Sequence, residues 1–394
     1  MLYLNQLGMV CPLGNNHDDI RYRMLDLAQS GLVMTDLYSP GRSLPLGQVD
    51  AELVLPSLEE LPLCDRSRNN QLALAALSEI RPAVDAAIEC YGADRIGIVI
   101  GTSTSGIAES ESALHQYAIT GVLPEQFHYG QQELGSPAAM LAARLGIGGP
   151  AYVHSSACAS SAKALASAAR LIRMSICDAV LAGGVDSLCS FTIAGFKALE
   201  SISPTQCNPL SRNRNGINIG EGAALFLMST EPAAVALRGW GESSDGYHMS
   251  APDPGGVGAR LAMERALTRA GIPAEQIDYV NLHGTGTLQN DAMESRLIHG
   301  LFGSSVAVSS TKPFTGHALG AAGAIEAGLC WLAMQDDNPE GKLPPHLWDG
   351  MADPDLPVLR VAEPDSHLGR PLRWVLSNSF AFGGANATLV LGRE

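Results

Sequence analysis

The chain is poor in aromatic and charged residues, and basic residues are the scarcer charged kind. Of its 394 residues, 5% are aromatic and 16% are charged, with 25 Lys and Arg against 40 Asp and Glu. The net charge of −15 argues against nucleic acid as a partner, because phosphate binding requires a basic surface. With 46% hydrophobic residues and 42 glycines, the composition instead favours closely packed helices and strands.

Long hydrophobic runs and paired cysteine motifs are also missing. No uninterrupted apolar stretch reaches the ~18 residues that a membrane span needs. The N-terminal sequence MLYLN predicts a first strand and lacks the basic and apolar regions of a signal peptide. The eight cysteines show no C-x-x-C spacing, which is typical of reduced thiols, and no cluster has metal-ligand spacing. We therefore expect a cytoplasmic protein without a metal site.

Short apolar runs that close on Gly or Thr alternate with Ala-rich helical stretches. Residues 95–102 and 278–283 are typical of strands buried on both faces, which predicts sheets between layers of helices. Residues 259–270 have helical spacing and end at Gly271. The richest Gly/Pro break lies at residues 239–256, and we expect the chain to divide there into 1–246 and 247–394.

Cys158 lies in the run VHSSACASSA, where a Ser/Ala-rich strand end is expected to turn directly into an Ala-rich helix. A helix N-terminus offers unpaired N–H groups and a positive dipole end, which help a thiol to ionise and to attack carbonyl carbon. Small neighbours leave room for a substrate. The alternative is a buried structural cysteine, as most free cysteines are.

Two histidines favour the catalytic interpretation. His283 ends an apolar strand and opens a Gly/Thr loop, and His317 follows a glycine and opens an Ala/Gly-rich helix that carries Glu326. One thiol and two imidazoles are the groups that acyl transfer requires, because the thiol carries the acyl group and the imidazoles donate to oxygens that become negative.

With these segments the chain resembles the β-ketoacyl-acyl-carrier-protein synthases of the thiolase-like superfamily. The sequence around Cys158 is similar to that of the elongating branch. The resemblance covers nearly the whole length. It is carried by residues 8–14, 95–102, 153–162, 208–223, 277–287, 309–323 and 377–386.

The resemblance implies a fold of two similar βαβαβ halves in a five-layer α-β-α-β-α arrangement. It also implies that Cys158 accepts an acyl group from a carrier protein or coenzyme A. The backbone N–H groups of Cys158 and Phe382 would form the oxyanion hole. Malonyl-carrier protein would then lose CO₂ and give an enolate stabilised by His283 and His317, and a carbon–carbon bond would form.

The resemblance assigns supporting roles as well. Lys312 and Glu326 match an ion pair that orders the site, and Thr285 and Thr287 match positions that bind the pantetheine arm. Phe382 matches a gate that moves before a long acyl chain enters. No cofactor of the enzyme itself is implied, since the substrates are carried on the 4′-phosphopantetheine of an acyl carrier protein.

Two kinds of partner are expected. Acyl carrier proteins of the family are acidic, so docking requires a local basic patch. Arg66 and Arg68 are the first candidates, and Arg212 and Arg214 are the second. Family members are usually dimers, with either a second copy or a ketosynthase-like subunit, and residues 126–136 are the candidate interface.

Two positions depart from the family pattern. Asn215 stands where many relatives carry Asp, and His346 stands where relatives often have Thr. The pathway stays open between fatty acid, aryl polyene and polyketide elongation. The main alternative is a catalytically inactive subunit that sets chain length, although such subunits lose the nucleophile. A thiolase pairs its nucleophile with a second cysteine, and initiating ketosynthases use Cys-His-Asn; neither pattern fits.

Overall fold

The computed structural model of the protein describes residues 1–393 and has mixed α/β structure. The strands are β1 (Tyr3–Val10), β2 (Leu32–Thr35), β3 (Leu44–Gly47), β4 (Ile96–Gly101), β5 (Ala151–His154), β6 (Ala179–Asp186), β7 (Gly222–Ser229), β8 (Val235–Ser244), β9 (Tyr279–Asn281), β10 (Ala307–Ser309), β11 (Arg360–Val361), β12 (Trp374–Phe380) and β13 (Ala385–Arg393).

The α-helices alternate with these strands along most of the chain. They are α1 (His17–Arg21), α2 (Arg68–Tyr91), α3 (Ile107–Thr120), α4 (Ser136–Leu145), α5 (Ser160–Arg173), α6 (Ser190–Ala198), α7 (Val257–Ala270), α8 (Leu288–Phe302), α9 (Lys312–Thr315) and α10 (Ala322–Ala333). None of the helices in residues 1–393 combines the length and the hydropathy that crossing a bilayer requires.

Strand pairing repeats one pattern in the two parts of the chain. The first part has the order β5-β4-β6-β7-β1, and the second has β11-β10-β9-β12-β13-β8. In each order the first pairs are parallel and the last two pairs are antiparallel. One residue pair, Tyr3 with Ala236, joins β1 to β8. The repeated order shows the predicted duplication.

Helices cover both sheets and also separate them. Helices α5 and α10 lie in the middle and pack against strands of both parts, whereas α2 and α4 cover the first sheet from outside and α7 covers the second. The middle layer is rich in alanine, as at Ala162, Ala166 and Ala324, so the two sheets can approach closely. The five-layer thiolase-like fold is therefore confirmed.

The predicted helix at residues 259–270 is confirmed, but the predicted break before it begins later than expected and comprises residues 245–256. Residues 239–244 belong to β8, which pairs with β13. An added Cβ at Gly241 would lie 1.8 Å from the carbonyl oxygen of Ala262 in α7, and one at Gly239 would lie 2.1 Å from that of Ala266. These glycines allow close helix-to-strand approach. The division of the chain at residue 246 stays a prediction.

Candidate active site

Cys158 lies in a tight turn between β5 and α5. The preceding residue, Ala157, has a left-handed backbone with φ of 47°. The Ser160 hydroxyl holds this turn, because it accepts from the Ser156 N–H at 2.8 Å and donates to the Ala157 carbonyl at 2.6 Å. The helix begins at Ser160, so the cysteine precedes the helix instead of opening it.

The thiol and the two predicted histidines come together from opposite halves of the chain. His317 Nε2 lies 3.0 Å from Cys158 Sγ, and the rings of His283 and His317 are 5.4 Å apart in an edge-on arrangement. One N or S atom of each of the three residues lies within 4.8 Å of the other two. A metal ion here would occupy the same thiol and imidazoles that acyl transfer needs.

The His283 loop is held from two sides. Glu294 of α8 accepts the backbone N–H groups of His283 and Gly284, each at 2.8 Å. Lys312 Nζ donates to the His283 carbonyl, contacts Glu326 at 2.5 Å and lies 3.5 Å from His283 Nδ1. Because an ammonium group can only donate, Nδ1 is the acceptor, and the His283 proton is placed on Nε2.

The three central groups are neutral near pH 7. Burial raises the pKa of the Cys158 thiol to about 11, although the charge of Lys312 and the backbone N–H groups of Phe382 and Cys158 act in the opposite direction. Burial and the Lys312 charge hold the pKa of both His283 and His317 well below the usual range. The expectation that the free thiol ionises easily is therefore wrong, because desolvation outweighs the helix terminus.

Phe382 reaches the same site from the loop between β12 and β13. The two residues after it, Gly383 and Gly384, have φ of 80° and 76°, which glycine adopts without strain. The backbone N–H groups of Phe382 and Cys158 lower the pKa of the thiol as hydrogen-bond donors, so both lie beside Sγ. The Phe382 ring lies 5.4 Å from that of Phe196. This geometry fits an oxyanion hole and a gate, and both roles stay predictions.

A partly open cavity of about 60 Å³ lies beside these groups. It is lined by Cys158, His283, His317 and Phe382 together with Thr285 and Thr287. The two threonine hydroxyls lie 3.0 Å apart, and that of Thr287 also caps α8. Every residue predicted to contact the substrate therefore lines one cavity.

The predicted docking arginines lie in two different environments. Arg68 pairs with the buried carboxylate of Glu221 at 2.7 Å, and Arg214 is buried and pairs with Asp353 at 2.5 Å. Arg66 and Arg212 are exposed. Docking by Arg66 and Arg68 stays a prediction, but the internal ion pair of Arg68 favours Arg66 as the residue that is available to a partner.

The two departures from the family pattern are explained by internal hydrogen bonds. Nδ1 of the buried His346 accepts from the Ser310 N–H at 3.0 Å, and Nε2 donates to the Pro209 carbonyl at 2.9 Å. Burial lowers the pKa of His346 to about 4. The Asn215 side-chain oxygen accepts from the Ser203 hydroxyl at 2.6 Å.

Sequence reasoning missed Glu294. Its carboxylate is fully buried, and burial raises its pKa to about 7. A signal was present, since an acidic residue on the buried side of a helix that follows a catalytic loop must accept hydrogen bonds nearby.

Comparisons with known proteins agree with this geometry. The models of the β-ketoacyl synthase N-terminal and C-terminal domains match residues 67–234 and 234–347. Nodulation protein E of Rhizobium meliloti is 32% identical over 97% of this chain and 96% of that protein. The 3-oxoacyl-[acyl-carrier-protein] synthase 2 of Coxiella burnetii is 32% identical over 98% of this chain and 97% of that protein.

Solved structures match the whole chain. One is the complex of the ketosynthase ApeO with its chain length factor ApeC from Xenorhabdus doucetiae, of which a chain is 46% identical with a TM-score of 0.91. The match covers 100% of this chain and 98% of that one. The ishigamide ketosynthase/chain length factor matches with 27% identity and a TM-score of 0.88, over 100% of this chain and 99% of that one.

Proposed function

Because the chain belongs to the β-ketoacyl synthase family, we propose that it is the catalytic subunit that extends an acyl chain bound to an acyl carrier protein. Its reaction is that of a 3-oxoacyl-[acyl-carrier-protein] synthase, a decarboxylative Claisen condensation. The contact of 3.0 Å between His317 Nε2 and Cys158 Sγ is the observation that carries the proposal. An inactive subunit would have no use for a thiol paired with an imidazole in this way.

The first half-reaction transfers the acyl group to Cys158. The thiol sulfur forms a bond to the acyl carbon, the bond to the carrier's sulfur breaks, and the carrier leaves as a thiol. His317 Nε2 is placed to take the Cys158 proton, which removes the need for a thiol that is ionised at rest. The N–H groups of Cys158 and Phe382 would receive the carbonyl oxygen as it becomes negative.

The second half-reaction forms the new carbon–carbon bond. Malonyl thioester loses CO₂, and the resulting enolate attacks the acyl carbon while the bond to Cys158 breaks; the released thiolate takes up a proton from water. The His283 proton on Nε2 suits this step, because a neutral imidazole can donate to an enolate oxygen. Lys312 and Glu326 would keep His283 in that tautomer without contacting the substrate, and Thr285 and Thr287 would bind the pantetheine amides.

We further propose that the active form is a dimer with a ketosynthase-like subunit. Two of the matching structures are complexes of a ketosynthase with a chain length factor. We propose aryl polyene or polyketide elongation as the pathway, with fatty acid elongation as the second candidate. The free state of all eight cysteines supports a cytoplasmic location, and the enzyme would need no cofactor beyond the carrier's phosphopantetheine.

A condensation assay tests the function. The protein is incubated with acyl-carrier protein and malonyl-carrier protein, and the 3-oxoacyl product is measured by mass spectrometry, with and without a chain length factor such as ApeC. We expect product from the wild type and none from His283→Ala, which retains Cys158 and should still be acylated. Acylation of the wild type without product under every condition would contradict the proposal.

A further inference from the structure

The chain segment just before β7 pairs with His317. The backbone N–H of His317 donates to the Asn218 carbonyl at 2.6 Å, and the His317 carbonyl accepts from the Gly220 N–H at 3.0 Å. These two bonds form a parallel bridge between Ile219 and His317. The His317 backbone is thus fixed by the part of the chain that also carries Cys158.

The His317 imidazole has a single hydrogen-bonding contact among residues 1–393. Its Nε2 lies 3.0 Å from Cys158 Sγ, whereas its buried Nδ1 has no partner in that part of the chain. His283, by contrast, has Lys312 Nζ 3.5 Å from its Nδ1. Because no side chain orients His317 through Nδ1, the distance from Nε2 to Sγ depends on where the backbone places the ring.

Asn218 fixes this backbone through its own side chain. The residue is buried, and its amide group makes three hydrogen bonds to the backbone of one neighbouring loop. Nδ2 donates to the Thr205 carbonyl at 2.9 Å and to the Ser203 carbonyl at 3.4 Å, and Oδ1 accepts from the Cys207 N–H at 2.6 Å. An apolar side chain at this position would leave the buried Cys207 N–H unpaired, which is costly.

The loop that Asn218 anchors continues into the wall of the active-site cavity. The Ile217 N–H donates to the Ser201 carbonyl at 2.7 Å, and the Ile217 carbonyl accepts from the Ser203 N–H at 2.8 Å. Ser201 and Ile217 both line the cavity. The Asn218 amide therefore joins a wall of the cavity to the backbone behind His317.

We infer that Asn218 is a positioning residue, whose side chain keeps His317 Nε2 in contact with Cys158 Sγ and so speeds the transfer of the thiol proton to the imidazole. Asn218 does not line the cavity, so it acts through the backbone of His317. A displacement of about 1 Å at a reacting group can cost about 100-fold in rate, so such a residue matters without contacting the substrate. The inference rests on the proposed function, because it assigns a residue that supports the acylation step described there.

The rate at which iodoacetamide alkylates Cys158 tests the inference without an acyl donor. The sulfur displaces iodide and its proton passes to His317, so the rate depends on the contact between the two residues. Peptide mass spectrometry separates Cys158 from the other cysteines. We expect Asn218→Ala to lower this rate about tenfold, and to lower the single-turnover rate of acylation at saturating acyl-carrier protein by a similar factor.

Asn338→Ala is the matched control. Asn338 follows α10, whereas His317 precedes that helix. Asn338 is also buried; its Nδ2 donates to the Ala333 and Lys342 carbonyls at 2.7 Å and 2.9 Å, and its Oδ1 accepts from the Lys342 N–H at 2.9 Å. Both alanine variants lose the same three kinds of hydrogen bond and should unfold at a lower temperature, but Asn338→Ala should keep the wild-type rates. Equal rates in Asn218→Ala and Asn338→Ala would overturn the inference.

Asn218→Asp is the second variant, and it keeps the inference testable if Asn218→Ala does not fold. Its carboxyl group can both donate and accept only while it is protonated, and burial favours that form. Relative to the wild type at the same pH, its alkylation rate should be within about threefold at pH 6 and should fall further at pH 8.5, as the carboxyl group ionises. A ratio that does not change with pH would overturn the inference.

The two readouts separate this inference from the proposed function. A wild type that accepts no acyl group, but whose Cys158 is alkylated about tenfold faster than that of Asn218→Ala, would contradict the proposed function and support the positioning role. An acylated wild type whose two rates are unchanged in Asn218→Ala would contradict only the positioning role.

Discussion

At the residue scale, the site consists of neutral groups beside one buried ion pair. The thiol of Cys158 and the imidazoles of His283 and His317 are neutral near pH 7 because burial penalises their charged forms. Lys312 and Glu326 are also buried, but they remain beside each other at 2.5 Å. The charge is thus placed behind the histidines, away from the reacting atoms.

Breaking the buried ion pair should cost much more stability than removing both members. Lys312→Met leaves the Glu326 carboxylate buried without its cation, and we expect a loss of about 3–5 kcal/mol. The double variant Lys312→Met/Glu326→Leu should recover most of it, because no buried charge remains. Urea unfolding measures both free energies, and a double variant as unstable as the single one would contradict this interpretation.

His346 should make the protein sensitive to acid. Its folded-state pKa of about 4 lies below the value of about 6.5 expected in the unfolded chain, so its contribution is fully present above pH 6.5 and is lost as the pH falls toward 4. The difference corresponds to about 3 kcal/mol. We expect His346→Gln, which keeps a donor and an acceptor, to lose less stability between pH 7 and pH 4 in urea unfolding. Equal losses in the two proteins would show that His346 is not responsible.

At the element scale, the loops between regular elements position the reactive groups. The turn at Ala157 and the glycines after Phe382 both use left-handed backbone to bring N–H groups to the thiol. The sequence predicted that the backbone of these loops approaches the substrate closely, because small residues and glycine are typical of such loops. It could not predict that burial keeps the thiol protonated, since that depends on packing from both halves.

Alanine variants at two glycines distinguish a loss of stability from backbone strain from a loss of catalytic rate. Gly383 and Gly369 have φ of 80° and 70°, and neither has an atom within 4 Å of an added Cβ. We expect Gly383→Ala and Gly369→Ala each to lose about 1 kcal/mol of stability. Only Gly383→Ala should slow acylation, by about tenfold or more, because it shifts the Phe382 N–H. Single-turnover acylation rates test this, and equal rates in the two variants would exclude an oxyanion role for the Phe382 loop.

The same elements show where sequence patterns mislead. Gly239 and Gly241 predicted a break, yet they lie in β8 because α7 packs against the strand backbone at that point. A single sequence does not distinguish a glycine required by a turn from one required by a neighbouring helix. Residues 259–270 were predicted correctly because helical spacing and a terminal glycine agree.

At the scale of the whole molecule, the active site exists only because two similar halves face each other. Cys158 comes from the first half, and His283, His317 and Phe382 come from the second. The family motifs predicted this set of residues and the five-layer fold. They could not predict that four cations lie close together, because Lys163, Arg170, Arg173 and Arg269 meet only when α5 and α7 are packed.

The most direct test of the account is the mass of the intact protein after incubation with acyl-carrier proteins that bear saturated and hydroxycinnamoyl-type chains. The thiol beside His317 should accept the acyl group, so the wild type should gain the mass of one acyl chain and Cys158→Ala should gain none. The preferred chain would also indicate the pathway. An adduct of equal yield on Cys158→Ala, or no adduct from any donor even with a chain length factor present, would contradict the central claim.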